Sequence, residues 1–109
     1  MDPGEFRRYW REVHGPLAAR MPGLRRYVQD TPLPDSSRDL PCDGIAELWF
    51  DSSEEMQAAF ASPEGVATMA DSPNFLDMDR VGMMVVDEVV VVQEQPDSTP
   101  APAAPPRSA

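Results

Sequence analysis

Twelve residues near the C-terminus, Val81 to Val92, hold seven valines and two methionines. A run of this composition is strongly β-forming, and only Asp87-Glu88 punctuates it. It is apolar on both faces. As a strand it needs cover on each side, or a partner chain, and paired neighbours along its edges. The rest of the chain must therefore supply a sheet for it to join and a layer to cover that sheet.

The preceding residues supply both. Asp2-Pro3-Gly4-Glu5 is a helix start: an acceptor at the cap, proline at the first helical position, and Glu at the third. At ~100° per residue from Phe6, the side chains of Leu17, Val13 and Trp10 fall within ~40° of it, and Arg7, Arg8, Arg11 and Glu12 face away. Gly15-Pro16 should kink or interrupt this helix, and Met21-Pro22-Gly23 should end it. Leu24 to Gln29 alternates and reads as a strand. Asp30 to Asp43 is a polar loop with three prolines. Ile45 to Phe50 reads as a second strand, joined to the first as a hairpin, with Ile45, Glu47 and Trp49 on one face. Asp51 or Ser52 caps a further helix, and Ser62-Pro63 starts another that runs through Met69. A loop with a helical turn, Asp71 to Arg80, leads into the valine-rich strand.

The order α–β–β–α(–α)–β predicts an α+β two-layer sandwich. It is the ferredoxin-like βαββαβ pattern with its first strand lacking. Residues 1–92 form this domain. Residues 93–109 hold five prolines and almost no large apolar side chains, and read as a disordered Pro/Ala-rich tail.

Composition narrows the function. The net charge is −10, from nine arginines against nineteen acids, and there is no lysine. A Lys Schiff base is excluded. Phosphate backbones should repel such a chain, so no nucleic-acid partner is expected. Residues 1–40 nevertheless carry seven arginines and six acids, so a carboxylate or phenolate ligand could be drawn there; the alternative is solvated helix arginines. Cys42 is the lone cysteine, which fits a reducing compartment, and nothing beside it lowers its pKa. No stretch approaches a membrane span and no signal pattern opens the chain, so a cytoplasmic protein is expected. One His and one Cys cannot close a zinc site, and no Gly-rich phosphate loop occurs. The expected cofactor set is none.

The run Phe6-Arg7-Arg8-Tyr9-Trp10-Arg11-Glu12-Val13-His14-Gly15-Pro16-Leu17, followed by Pro22-Gly23-Leu24, resembles the EthD family, named for ethyl tert-butyl ether degradation. Asp43-Gly44-Ile45-Ala46-Glu47-Leu48-Trp49-Phe50-Asp51, Ser62-Pro63-Glu64-Gly65 and Asn74-Phe75 extend the likeness to about residue 93. The resemblance implies a dimeric α+β barrel in which two ferredoxin-like sheets pack face to face. Relatives of this architecture include cyclases, dehydratases, lactone isomerases, cofactor-free monooxygenases and haem-dependent peroxidases, so the fold leaves the reaction open. The family's first strand, central in the sheet, would precede the helix that opens this sequence. Two expectations follow: Met1 is an internal methionine of a longer protein, or the valine-rich strand shifts or pairs with another chain.

His14, the only histidine, sits ~80° from Phe6 on the helix wheel, at the edge of the apolar stripe. Its ordinary pKa near 6.5 suits general acid–base work; the alternative is a structural histidine at the Gly15-Pro16 kink. Tyr9 is its candidate catalytic partner. Trp10, Tyr27 and Trp49 could wall an aromatic pocket, or pack in the core and a dimer interface. Glu47, among apolar neighbours, is a candidate base if its face is buried, or else a partner of Arg25 or Arg26. The functional reading is a small-molecule enzyme, acting as a homodimer on an apolar oxygen-bearing compound in oxidative breakdown or modification, or in dehydratase- or cyclase-like proton transfer. The alternative is a non-catalytic ligand-binding or accessory dimer that supports a partner oxidoreductase.

Overall fold

The computed structural model describes residues 1–33 and 42–94. The proposed tail from residue 95 onward and most of the proline loop lie outside these residues. The chain opens with α1, Pro3–Tyr9, capped by the Asp2 carboxylate, which accepts from the Glu5 N–H at 3.0 Å. The helix continues through a π-helical stretch, Trp10–His14, into α2, Gly15–Ala18. Pro16 explains the widened turn: it has no N–H to give the carbonyl four residues back. The Gly15 N–H bonds the Trp10 carbonyl instead, five residues earlier. The helix is thus widened at Gly15-Pro16 rather than broken there. Gly23, at φ +80°, turns the chain toward the sheet.

Strands β1, Arg26–Asp30, and β2, Ile45–Trp49, form an antiparallel ladder with Tyr27 opposite Leu48 and Val28 opposite Glu47. Tyr27, Gln29, Ala46 and Leu48 share one face; Arg26, Val28, Asp30, Ile45, Glu47 and Trp49 share the other. The first face meets the helices. Tyr27 and Leu48 join Leu24, Phe50 and Phe60 around the buried trio Ala18, Met21 and Ala59. Trp10, 6% exposed, lies so close to Gly44 that a Cβ there would sit 2.6 Å from the indole. Helices α3, Ser53–Ala61, and α4, Pro63–Asp71, follow, capped by the Ser52 and Ser62 hydroxyls. Two single 3₁₀ turns, Ser72–Asn74 and Met78–Arg80, take the place of the expected helical turn.

Two expectations are corrected. Val81 to Val92 is not a strand. It runs without a backbone ladder, and its valines are 48% to 88% exposed. β-propensity alone does not hold a strand: its N–H and C=O groups need a paired neighbour, and the described sheet has only β1 and β2. Glu88 Oε1 accepts from Trp49 Nε1 at 3.1 Å, which brings this segment beside the sheet through side chains only. Val13, assigned to the apolar stripe, is 44% exposed, while His14 at its edge is 8% exposed. The π-helical stretch shifts the helix phase at these residues, so a constant ~100° step misplaces both.

Candidate functional site: a carboxylate that gathers a histidine and a tyrosine

Asp71, the last residue of α4, points at the N-terminal helix. Its Oδ1 accepts from the Tyr9 hydroxyl at 2.6 Å and from Asn74 Nδ2 at 3.0 Å. Its Oδ2 lies 2.9 Å from His14 Nδ1. Tyr9 and His14 are five residues apart, which a regular α-helix would splay by ~140°. The π-helical stretch between them brings both to one carboxylate. Phe75 closes the cluster, with ring centroids 4.7 Å from His14, 5.2 Å from Tyr9 and 5.8 Å from Phe6.

The electrostatics follow from these contacts. Burial pushes the Asp71 pKa up, but the hydrogen bonds from Tyr9, Asn74 and His14 outweigh it, and the carboxyl lies below its ordinary value. The bond to the Asp71 carboxylate, aided by burial, raises the Tyr9 pKa. An ionised carboxylate only accepts, so His14 Nδ1 is the donor. The neutral imidazole then carries its lone pair on Nε2. This is an imidazole held in one tautomer by an acidic partner, the geometry that a base and its orienting carboxylate have in many proton-transfer sites.

The other candidate residues do not join this cluster. Trp10 is core. Tyr27 and Gln29 border a shallow groove of about 340 Å³ against Arg11, Gly15, Pro16 and Ala19. Glu47 and Trp49 stand on the opposite sheet face. Trp49 carries the Arg26 guanidinium 4.7 Å from its ring centroid. Glu47 is exposed, and its pKa is raised by hydrogen bonding to Asp30, with burial and the Asp30 and Glu88 charges adding to it and Arg26 opposing. Its environment is thus a shared carboxylate pair, not a dry pocket. Asp71 escaped the sequence reading, since nothing local marks it and its partners lie 57 and 62 residues away. Among the described residues no group of three or more His, Cys, Asp or Glu side chains is placed to hold a metal ion. No described helix is long and apolar enough to cross a membrane.

Residues 1–79 match the family model of the EthD domain. The chain belongs to the EthD family. An uncharacterized 11.0 kDa protein of Rhodococcus erythropolis, from the thcB-thcC intergenic region, is 32% identical over 91 residues, spanning 84% of this chain and 87% of its own. The crystal structure of an EthD family protein from Bacillus halodurans superposes with a TM-score of 0.72 at 24% identity, over 81% of this chain and 87% of that one. It shows a common fold, so the two paired strands and their helices are the EthD arrangement, an α+β fold consistent with a truncated ferredoxin-like sandwich in which two strands pair among the described residues. The EthD match includes Tyr9, His14, Asp71 and Asn74, and it ends before the valine-rich segment.

Proposed function

We propose that this EthD-domain protein is a small-molecule enzyme that moves a proton through His14. The observation that carries the reading is the Asp71 contact, which holds Nδ1 as a donor and leaves Nε2 as the base. Nε2 takes a proton from an acidic C–H or O–H of an apolar, oxygen-bearing substrate. Asp71 stabilises the imidazolium that forms, and the proton returns at another atom. Such a step serves dehydration, cyclisation, or a stage of oxidative breakdown. Tyr9 is the second catalytic candidate, although its hydroxyl proton is committed to Asp71.

The same reading makes the protein a cytoplasmic homodimer. The sheet face that carries Trp49 and Glu47 has an exposed Ile45 and lies away from the described helices, and Glu88 of the valine-rich segment bonds Trp49 on it. Covering that face with a second copy removes apolar surface from water, worth roughly 25 cal/mol per Å². A second reading, a non-catalytic binding or accessory dimer, is favoured by one observation: His14 is 8% exposed and does not line the groove.

Proton transfer is tested by hydrogen–deuterium exchange. The protein is incubated in D₂O with a panel of ketones, lactones and phenols, and the substrates' C–H signals are followed by NMR. Catalysed exchange that disappears in His14→Gln supports the enzyme. Exchange that survives in His14→Gln, or no exchange with any compound, removes His14 from the chemistry and leaves the binding reading.

A further inference from the structure

The groove between the N-terminal helix and β1 has a chemistry of its own. Arg11, Gly15 and Ala19 are spaced one turn apart along one side of the helix, with Pro16 beside them. Tyr27 and Gln29 face them from β1. The Gln29 amide is locked: Nε2 donates to the Trp10 carbonyl at 2.9 Å and to the Tyr27 hydroxyl oxygen at 2.9 Å. The Trp10 carbonyl oxygen is only an acceptor, so the amide cannot be turned over. Two consequences follow. The Tyr27 oxygen is already an acceptor, so its own proton is free to donate. Gln29 Oε1 takes no side-chain donor among the described residues and is free to accept.

Arg11 makes no ion pair among the described residues. In a chain whose acids outnumber arginines by nineteen to nine, the groove is lined by one cation and no carboxylate. Its remaining walls, Pro16 and Ala19, are apolar. The groove is a shallow surface depression, so one ring with its substituents can lie along it with one side open to water.

We propose that this groove binds a small hydroxylated monocarboxylate. The Arg11 guanidinium takes the carboxylate in a planar fork, the geometry for which arginine is suited. The Tyr27 hydroxyl donates to a second oxygen. Gln29 Oε1 accepts from the ligand's hydroxyl, and the ring lies along Pro16 and Ala19. The open shape leaves much of the ligand wet, so binding is millimolar rather than tight. The site stands on its own residues and does not depend on the role of His14.

The test is a titration of the ¹⁵N-labelled full chain with 4-hydroxybenzoate, read by amide and Gln29 side-chain shifts. Saturable changes centred on Gly15, Tyr27 and Gln29 are expected. Benzoate, without the hydroxyl, should bind more weakly, and uncharged 4-hydroxybenzamide should not saturate. Arg11→Gln should weaken 4-hydroxybenzoate about tenfold, equal to roughly 1.4 kcal/mol. Arg8→Gln removes the same charge from the same helix and should leave binding nearly unchanged. Equal losses in Arg8→Gln and Arg11→Gln would mean a diffuse field rather than a site. Equal binding of the amide, or unsaturable shifts scattered over the surface, would likewise overturn the proposal. The ligand series needs no variant, so it decides the matter even if a substitution perturbs the fold.

Discussion

His14 Nδ1 and Asp71 Oδ2 stand 2.9 Å apart, although 57 residues separate them in sequence. The contact ties the middle of the N-terminal helix to the end of α4. It also fixes which nitrogen of the imidazole is bare. Replacing Asp71 by Asn keeps the shape but removes the charge and turns one acceptor oxygen into an N–H group. Tyr9 and Asn74 already bond to Oδ1, so the substituted amide turns its N–H to His14 and forces the imidazole proton from Nδ1 to Nε2. The loss of charge-assisted bonds at this mostly buried position should cost about 2 kcal/mol, read as a lower midpoint in urea unfolding with an unchanged slope. An Asp71→Asn protein as stable as the parent would show that the cluster holds nothing together.

The acid limb of stability follows from the same carboxyl. Asp71 is lowered in the folded state, so its contribution is complete above its unfolded pKa, near 4, and is lost as pH falls through the folded value. Unfolding free energy of the parent should therefore drop as pH falls below about 4, and the drop should be shallower in Asp71→Asn. Tyr9 shifts the other way. Its folded pKa is raised, so its contribution is whole below its unfolded pKa, about 10, and is lost only as pH climbs through the folded value. Ultraviolet titration of Tyr27→Phe, which leaves Tyr9 as the one tyrosine, should show ionisation later than in a free tyrosine. An ordinary titration would mean that the Tyr9–Asp71 bond does not persist in solution.

Much of this architecture is legible in the sequence because its signals are local. Asp2-Pro3, Ser52 and Ser62-Pro63 sit where helices start, Gly23 turns the chain five residues after α2 ends at Ala18, and the alternation expected over 24–29 and 45–50 is real pairing over 26–30 and 45–49. The misses are non-local. Val81 to Val92 has every local sign of a strand, but a strand exists only with a neighbour. Asp71 is invisible because its meaning lies in two side chains more than fifty residues away. Val13 and His14 are misplaced because a helical wheel assumes one pitch, and Pro16 changes it. Proline predicts a disturbance; it does not say whether the helix will bend, break or widen.

That widening is itself testable. Pro16→Ala restores an N–H for the Glu12 carbonyl and removes the reason for the π-helical stretch. The helix should relax to a regular pitch, which rotates Tyr9 and His14 apart by ~140°. The ¹⁵N shifts of the His14 ring, expected in the parent to report a proton on Nδ1 facing Asp71, should move to a mixture of tautomers. Unchanged ring shifts would show that packing against Phe75, not Pro16, holds the turn.

Gly15→Ala acts on the same turn from the other side. A Cβ there would stand 3.1 Å from Gln29 Nε2 and 3.2 Å from the Trp10 carbonyl. The amide must give way, and with it the bond that reaches from β1 to the π-helical stretch. Ala's better helix propensity, worth up to about 1 kcal/mol, opposes a crowding cost of about 1–3 kcal/mol. A net destabilisation is expected, together with a shifted Gln29 side-chain amide signal. Stabilisation with an unmoved Gln29 signal would mean that the strand and helix are free to separate there.

The valine-rich segment separates assembly from folding. Val85 and Val90 are 66% and 58% exposed, so within one chain they contribute little to stability. Exchanging both for Ser should change the unfolding free energy of the monomer by no more than about 0.5 kcal/mol per site. If a second copy covers these side chains, the same exchange withdraws apolar area from the interface and shifts the protein from dimer to monomer. Sedimentation equilibrium of parent and variant over a range of concentrations distinguishes the two effects. A parent dimer that dissociates in the variant places the segment at the interface. A dimer that persists in the variant assigns the contact to the sheet face of Trp49 and Ile45 alone, and a monomeric parent refutes the homodimer.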